Sequence, residues 1–351
     1  MLTRERTKMI KGIAVVMMVA LHTFMFCGDY FNSFTLFGRA ISSFTNGSLK
    51  ICVALYAFLT GYAYCKAKDK SYHYSVKKIF QLLKIYWFIL LVIFLPLSIL
   101  VGNYKLNWSF LYNLFALKNN LVTFAWYVYF YIFTMFCLPI YDKYLHFAKK
   151  KIKSGAGGVF LHLVPIAGFY LGFGLIQYLK IYKGIDNFLL NDLQDCLLYF
   201  QVIIIGYTFS EYALIDKISS KVRHKKLVGW GLTIVVPLMR NYCGSIAGFG
   251  FDIVYAPLMV IGILLILDGV NRPNIVCRGL SFLGSQSTEI WFIHSIFWSD
   301  CLTKKFAAIA YWPKLPILCV VWIIVLCIPV AIVAKRCLKL MEHTLKRVKE
   351  D

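Results

Sequence analysis

Long apolar runs, each bounded by a short charged connection, constrain this chain more than any other feature. A bilayer-spanning helix needs about 20 mostly apolar residues. Runs of that kind lie near 10–27, 49–65, 79–101, 124–140, 159–179, 196–210, 227–245, 251–268, 281–299 and 315–334. Spanning β-strands would show apolar and polar positions in alternation instead. The expected fold is therefore all-α and integral to a membrane, a polytopic bundle of about ten transmembrane helices. Composition agrees, because apolar residues make up 60% of the 351 and charged residues 15%. A soluble domain needs about 25% charged residues to cover its surface. The connections are too short to hold a soluble catalytic module, so any chemistry belongs to side chains on the helices and at their ends. Residues 1–340 are expected to form this membrane domain and 341–351 a basic cytoplasmic tail.

A net charge of +22 invites a nucleic-acid partner, but its distribution points elsewhere. With the N-terminus inside, the inner connections lie near 66–84, 143–153, 217–226 and 272–278. Together with both chain ends they hold 28 of the 38 Lys and Arg residues. This is the positive-inside pattern, and it places both termini in the cytoplasm. Orientation and contact with anionic membrane lipid account for the charge, and no nucleic acid is needed. The basic start and apolar run resemble a secretory signal. No small-residue cleavage site follows, however, and His22 interrupts the run, so an uncleaved first helix is expected. The eleven cysteines are scattered, with no CxxC pair. They read as small apolar packing residues, and no metal site is expected.

Ionisable side chains inside a bilayer are costly, so each is a functional suspect. On the first helix, eleven residues separate Lys11 from His22. At 100° per residue they lie about 20° from three full turns, on one face, with about 16 Å of axial rise between them. Two readings suit this pair: a snorkelling lysine with a histidine bonded to a neighbouring helix, or a functional face running from the cytoplasmic rim into the membrane. The ninth run carries Ser287, Glu289 and His294. Ser287 and His294 share a face at a spacing of seven, whereas Glu289 points elsewhere. Lys77, Lys78 and Lys84 enter the third run from the cytoplasmic side. Like charges so placed favour an anion, either lipid or a phosphate-bearing cofactor.

Several segments in order resemble the acyltransferase-3 family of integral membrane O-acyltransferases. Lys11-Gly12-Ile13-Ala14 followed by His22 is similar to the family's basic residue, ten intervening residues and histidine. Phe58-Leu59-Thr60-Gly61-Tyr62 is similar to its FxxSG-aromatic segment, with threonine for the usual serine. Lys77-Lys78 with Lys84-Ile85-Tyr86, then Trp126-Tyr127-Val128, then Ser287 with Ile290-Trp291-Phe292-Ile293-His294 follow in family order. Lys8 stands where members often have an acidic residue, and lysines replace several arginines, which gives up bidentate phosphate geometry.

The resemblance implies an acyltransferase of the cell membrane, in a bacterial cytoplasmic membrane. It would move an acyl group, most commonly acetyl, from cytosolic acyl-CoA to a hydroxyl of a cell-surface or lipid-linked glycan. It implies catalytic roles for His22 and His294, and a donor site at Lys11, Lys77, Lys78 and Lys84. Trp126, Ser287 and Glu289 are expected at the acceptor. The rival reading is a transporter or flippase of lipid-linked sugars or polysaccharide, against which no repeated halves are detectable.

Overall fold

The computed structural model describes residues 2–31, 34–36, 38–102, 104–117, 120–151, 156–185, 187–246, 249–268, 274–299, 301–302 and 304–350. Parts of the connections near 143–153 and 272–278, and Asp351 of the tail, lie outside the described residues. Helices dominate. Six helical stretches are long and apolar enough to cross a membrane: Arg4–Met25, Ile41–Cys65, Tyr72–Leu100, Gly158–Lys183, Leu189–Glu211 and Pro316–Thr344. The protein is all-α and multi-pass. Four expected runs take other forms. The run near 124–140 opens α7 (Trp126–Lys151), and those near 227–245 and 251–268 form α11 (Lys225–Cys243) and α12 (Asp252–Asp268). The ninth run is broken at Gln286 into α13 (Ile275–Ser285), α14 (Ser287–Ile293) and a 3₁₀ turn over His294–Phe297.

Local sequence explains where these helices start and bend. Thr3 caps α1 (Arg4–Met25) by accepting from the Arg6 N–H at 3.2 Å. Ser71 does the same for α4 (Tyr72–Ile89), and Asn274 for α13. Lys50 separates α2 (Ile41–Leu49) from α3 (Ile51–Cys65). A π-turn at Leu90–Phe94 joins α4 to α5 (Leu95–Leu100), where Pro96 supplies no N–H and crowds the preceding turn. The aromatic segment near 107–117 holds a short helix, α6 (Phe110–Leu114). It is tied to α4 by the Trp87 indole N–H, which donates to the Leu114 carbonyl at 2.8 Å.

α11 continues through Pro237 to Cys243, and a buried pair lies just beyond the proline. Arg240 grips Asp252 of α12 with two bonds, Nε to Oδ1 at 2.7 Å and Nη2 to Oδ2 at 3.0 Å, while Nη1 donates to the Gly47 carbonyl of α2. One guanidinium thus satisfies three elements at once.

The most extensive helix pairings are α1 with α13, α11 with α12, and α3 with α9 (Phe188–Glu211). Lipid offers helices no hydrophobic reward for associating, so close backbone approach through small residues carries the packing. On α3 and α9, Gly61 faces the Ile203 carbonyl and Gly206 faces the Phe58 carbonyl. On α1 and α13, Gly12 faces the Leu280 carbonyl and Gly284 faces the Lys8 carbonyl. A Cβ at any of these four would overlap backbone, which cannot step aside as a side chain can. By contrast α8 (Ala156–Lys183) and α16 (Pro316–Glu350) are peripheral, and α16 carries membrane segment and basic tail on one helix.

Gly206→Ala is expected to lower stability by about 1–3 kcal/mol, the usual cost of overpacking. Gly168→Ala on α8, where a Cβ meets nothing within 4 Å, serves as control. Thermal unfolding of the two variants in detergent checks this; equal midpoints would contradict the crossing.

Candidate active site

Because Gly12 and Gly284 let α13 lie against α1, the helix break at Gln286 delivers α14 alongside the upper half of α1. There His22 and His294, far apart in sequence, meet ring to ring, with His22 Nδ1 2.8 Å from His294 Nε2. His294 is fully buried and His22 nearly so. The second nitrogen of His294, Nδ1, lies 3.1 Å from the Ile290 carbonyl. A carbonyl only accepts, so His294 Nδ1–H donates to it. For a neutral ring, His294 Nε2 then accepts, and His22 Nδ1–H must be the donor. One backbone carbonyl therefore fixes both tautomers and leaves His22 Nε2 as a free lone pair. Among the described residues that nitrogen has no hydrogen-bond partner.

Aromatic rings hold the pair. Phe124 lies flat on His22, with centroids 3.6 Å apart and an interplanar angle of 3°, and also stacks on His294 at 5.0 Å. Trp298 meets His294 edge-on at 5.9 Å. Its indole N–H donates to the Tyr311 hydroxyl at 3.2 Å, which in turn donates to the Thr23 carbonyl at 2.7 Å. The outer side of the pair is thus tied back to α1.

Toward the Lys11 end of α1 lies a cavity of about 370 Å³ between α1, α3, α4, α7 and α14. Its walls follow helical stripes: Tyr56, Thr60 and Tyr64 on α3; Tyr74, Lys78 and Leu82 on α4; Tyr127, Tyr131 and Met135 on α7. Lys11 and Lys78 both line it, and among the described residues no carboxylate does. Lys78 Nζ donates to Gln81 Oε1 at 3.1 Å, and the Tyr56 hydroxyl donates to the Lys11 carbonyl at 3.1 Å. Two lysines and no carboxylate in the described lining give this space a positive potential.

The structure sorts the residues singled out in the sequence. It joins His22 to His294, and places Lys11, Lys78 and Ser287 around the cavity. Lys77 and Lys84 do not line it. Lys77 is exposed, and Lys84 Nζ is 3.0 Å from Glu342 Oε1 of α16. The 100° step of the helix turns Lys78 away from the face those two share. Glu289 is buried against Lys335 of α16, at 3.7 Å, and that ammonium also donates to the Ser285 carbonyl at 2.5 Å. Trp126 packs on Tyr199, with centroids 6.1 Å apart, outside the cavity. Phe124 and Tyr56 were not singled out. The stripe Tyr56–Thr60–Tyr64 was readable as helical spacing of hydroxyls; nothing distinguishes Phe124 within its apolar run.

This is a membrane bundle with buried imidazoles above a cationic cavity. A family model described as an acyltransferase domain matches residues 8–336, a span that includes every site residue named above. The chain belongs to that family and is a membrane acyltransferase. No curated protein and no solved structure matches it.

Lys335→Met is expected to destabilise the protein more than the double variant Glu289→Gln, Lys335→Met, because only the single change strands a buried carboxylate. Unfolding midpoints of both variants in detergent test this. The reverse order would show that Glu289 does not depend on Lys335.

Proposed function

We propose that the protein transfers an acyl group, with acetyl expected, from cytosolic acyl-CoA to a hydroxyl of a cell-surface or lipid-linked glycan. In this reading about ten spans cross a bacterial cytoplasmic membrane with both ends inside. The observation that carries it is the arrangement of the cavity. Its two lysines, Lys11 and Lys78, for which no carboxylate stands in the described lining, suit the phosphates of the donor, and its far end abuts the helix turn that holds His294.

Along α1, Lys11 sits about 16 Å below His22, a span for an extended pantetheine arm. The hydroxyl of the acceptor gives its proton to His22 Nε2 as its oxygen attacks the thioester carbonyl. The C–S bond then breaks, and the proton ends on the released CoA thiol. His294 keeps His22 in the tautomer this requires and shares charge as the imidazolium forms. General-base assistance of this kind is worth about 10²–10⁴-fold. Lys77, exposed at the same helix entry, supplies positive potential to the approaching donor, as does Lys84 beside Glu342. Trp126 offers an aromatic face for a sugar ring at the outer end of α7.

Membrane vesicles carrying the protein and its native acceptor, given radiolabelled acetyl-CoA, provide the assay. His22→Ala is expected to reduce label transfer by about 10²-fold or more while leaving folding intact. Near-normal turnover in that variant would remove His22 from the mechanism. Lys11→Ala is expected to raise the KM for acetyl-CoA about tenfold, the worth of one charge-assisted bond, with kcat little changed. An effect on the acceptor alone would contradict the donor site.

A further inference from the structure

The cavity and the histidine pair are neighbours, and Trp291 is in contact with the surroundings of both. Trp291 is only 4% exposed and sits on α14, one turn before His294. Its ring meets Tyr56 edge-on with centroids 5.3 Å apart, and Tyr127 at 4.7 Å. These three rings line the outer end of the cavity, opposite Tyr64, Tyr74 and Met135. The Trp291 indole N–H donates to the Phe124 carbonyl at 3.2 Å, and Phe124 is the residue laid flat on His22. His22, His294 and Phe124 do not line the cavity. Trp291 therefore touches both the cavity and the support of His22. A buried hydrogen bond holds its ring in place.

Given the acyl-CoA reading above, on which this step rests, we propose that Trp291 sets the length of the acyl group transferred. A donor anchored by its phosphates at Lys11 and Lys78 directs its thioester toward the aromatic end of the cavity. The acyl chain beyond the carbonyl then faces the rings of Trp291, Tyr56 and Tyr127. A methyl group fits against such a wall. Each further methylene must displace a packed ring, and close packing makes that costly. Chain length changes nothing in the chemistry: the S–acyl bond breaks, an O–acyl bond forms, and the hydroxyl proton passes to the thiol. What changes is whether the carbonyl reaches His22.

The vesicle assay with radiolabelled acetyl-, butyryl- and hexanoyl-CoA tests this. The wild type is expected to prefer acetyl. Trp291→Ala is expected to raise the hexanoyl-to-acetyl ratio of kcat/KM at least about tenfold, since one methylene in a fitted pocket is already worth about that. Trp291→Phe, which keeps a ring and is safer for folding, is expected to shift the ratio toward butyryl. An unchanged ratio in both variants, with acetyl transfer persisting, would overturn the assignment. So would a wild type that uses hexanoyl as well as acetyl. A wild type that transfers no acyl group of any length would instead overturn the acyl-CoA reading, and the proposal with it.

Discussion

Everything at the centre of this protein depends on how closely α13 can approach α1. In a membrane no water is released when two helices meet, so the attraction is the short-range contact of backbones and side chains. Gly12 and Gly284 remove the Cβ atoms that would hold the two helices apart. With that approach made, the break at Gln286 turns the chain into α14 and sets His294 against His22. Lys335 then fastens the break from α16, through the Ser285 carbonyl and Glu289. The site is consequently built on helices, with supporting contacts made by backbone, by buried rings and by the Lys335 ammonium.

The second organising feature is a separation of charge from reaction. Several cationic groups are paired with carboxylates, as Arg6 and Lys225 are with Asp268, at 3.3 Å and 2.7 Å. Lys11 and Lys78 instead face the cavity, which leaves their charge for an anion. Around the histidine pair the polar groups are imidazoles, hydroxyls and indoles, which bury without a net charge. Trp291 lines the cavity and also bonds the Phe124 carbonyl beside that pair. A thioester donor suits that division, because its phosphates and its reactive carbon lie at opposite ends of one flexible arm.

Much of the site was legible from spacing. The Lys11 and His22 positions fall on one face because eleven residues nearly complete three turns, and both lie on one unbroken helix. The ordered segments pointed to the acyltransferase family, which the match over residues 8–336 shows. Other features were not legible. Helical phase placed Lys77, Lys78 and Lys84 near one another, but their neighbours divide them, α16 taking Lys84 through Glu342 and the cavity taking Lys78. Phe124 carries no mark in its sequence, since stacking on an imidazole asks only for a flat apolar ring at the right place. The Arg240–Asp252 pair, which ties α11 to α12 beyond Pro237, joins residues of two different runs and carries no local mark.

The sequence by itself determined that this chain is an apolar, helical membrane protein, and which of its helices carry ionisable groups. Hydrophobic length, charge bias and helical phase are local properties, and each can be read within a single segment. Tertiary structure alone decided that His22 and His294 touch, that the Ile290 carbonyl sets their tautomers, and that Trp291 lines the cavity while bonding the Phe124 carbonyl beside them. Those outcomes depend on the distance and rotation between helices far apart in the chain. A glycine-sized difference at the α1–α13 crossing is enough to make or break them, and no pattern within one segment records it.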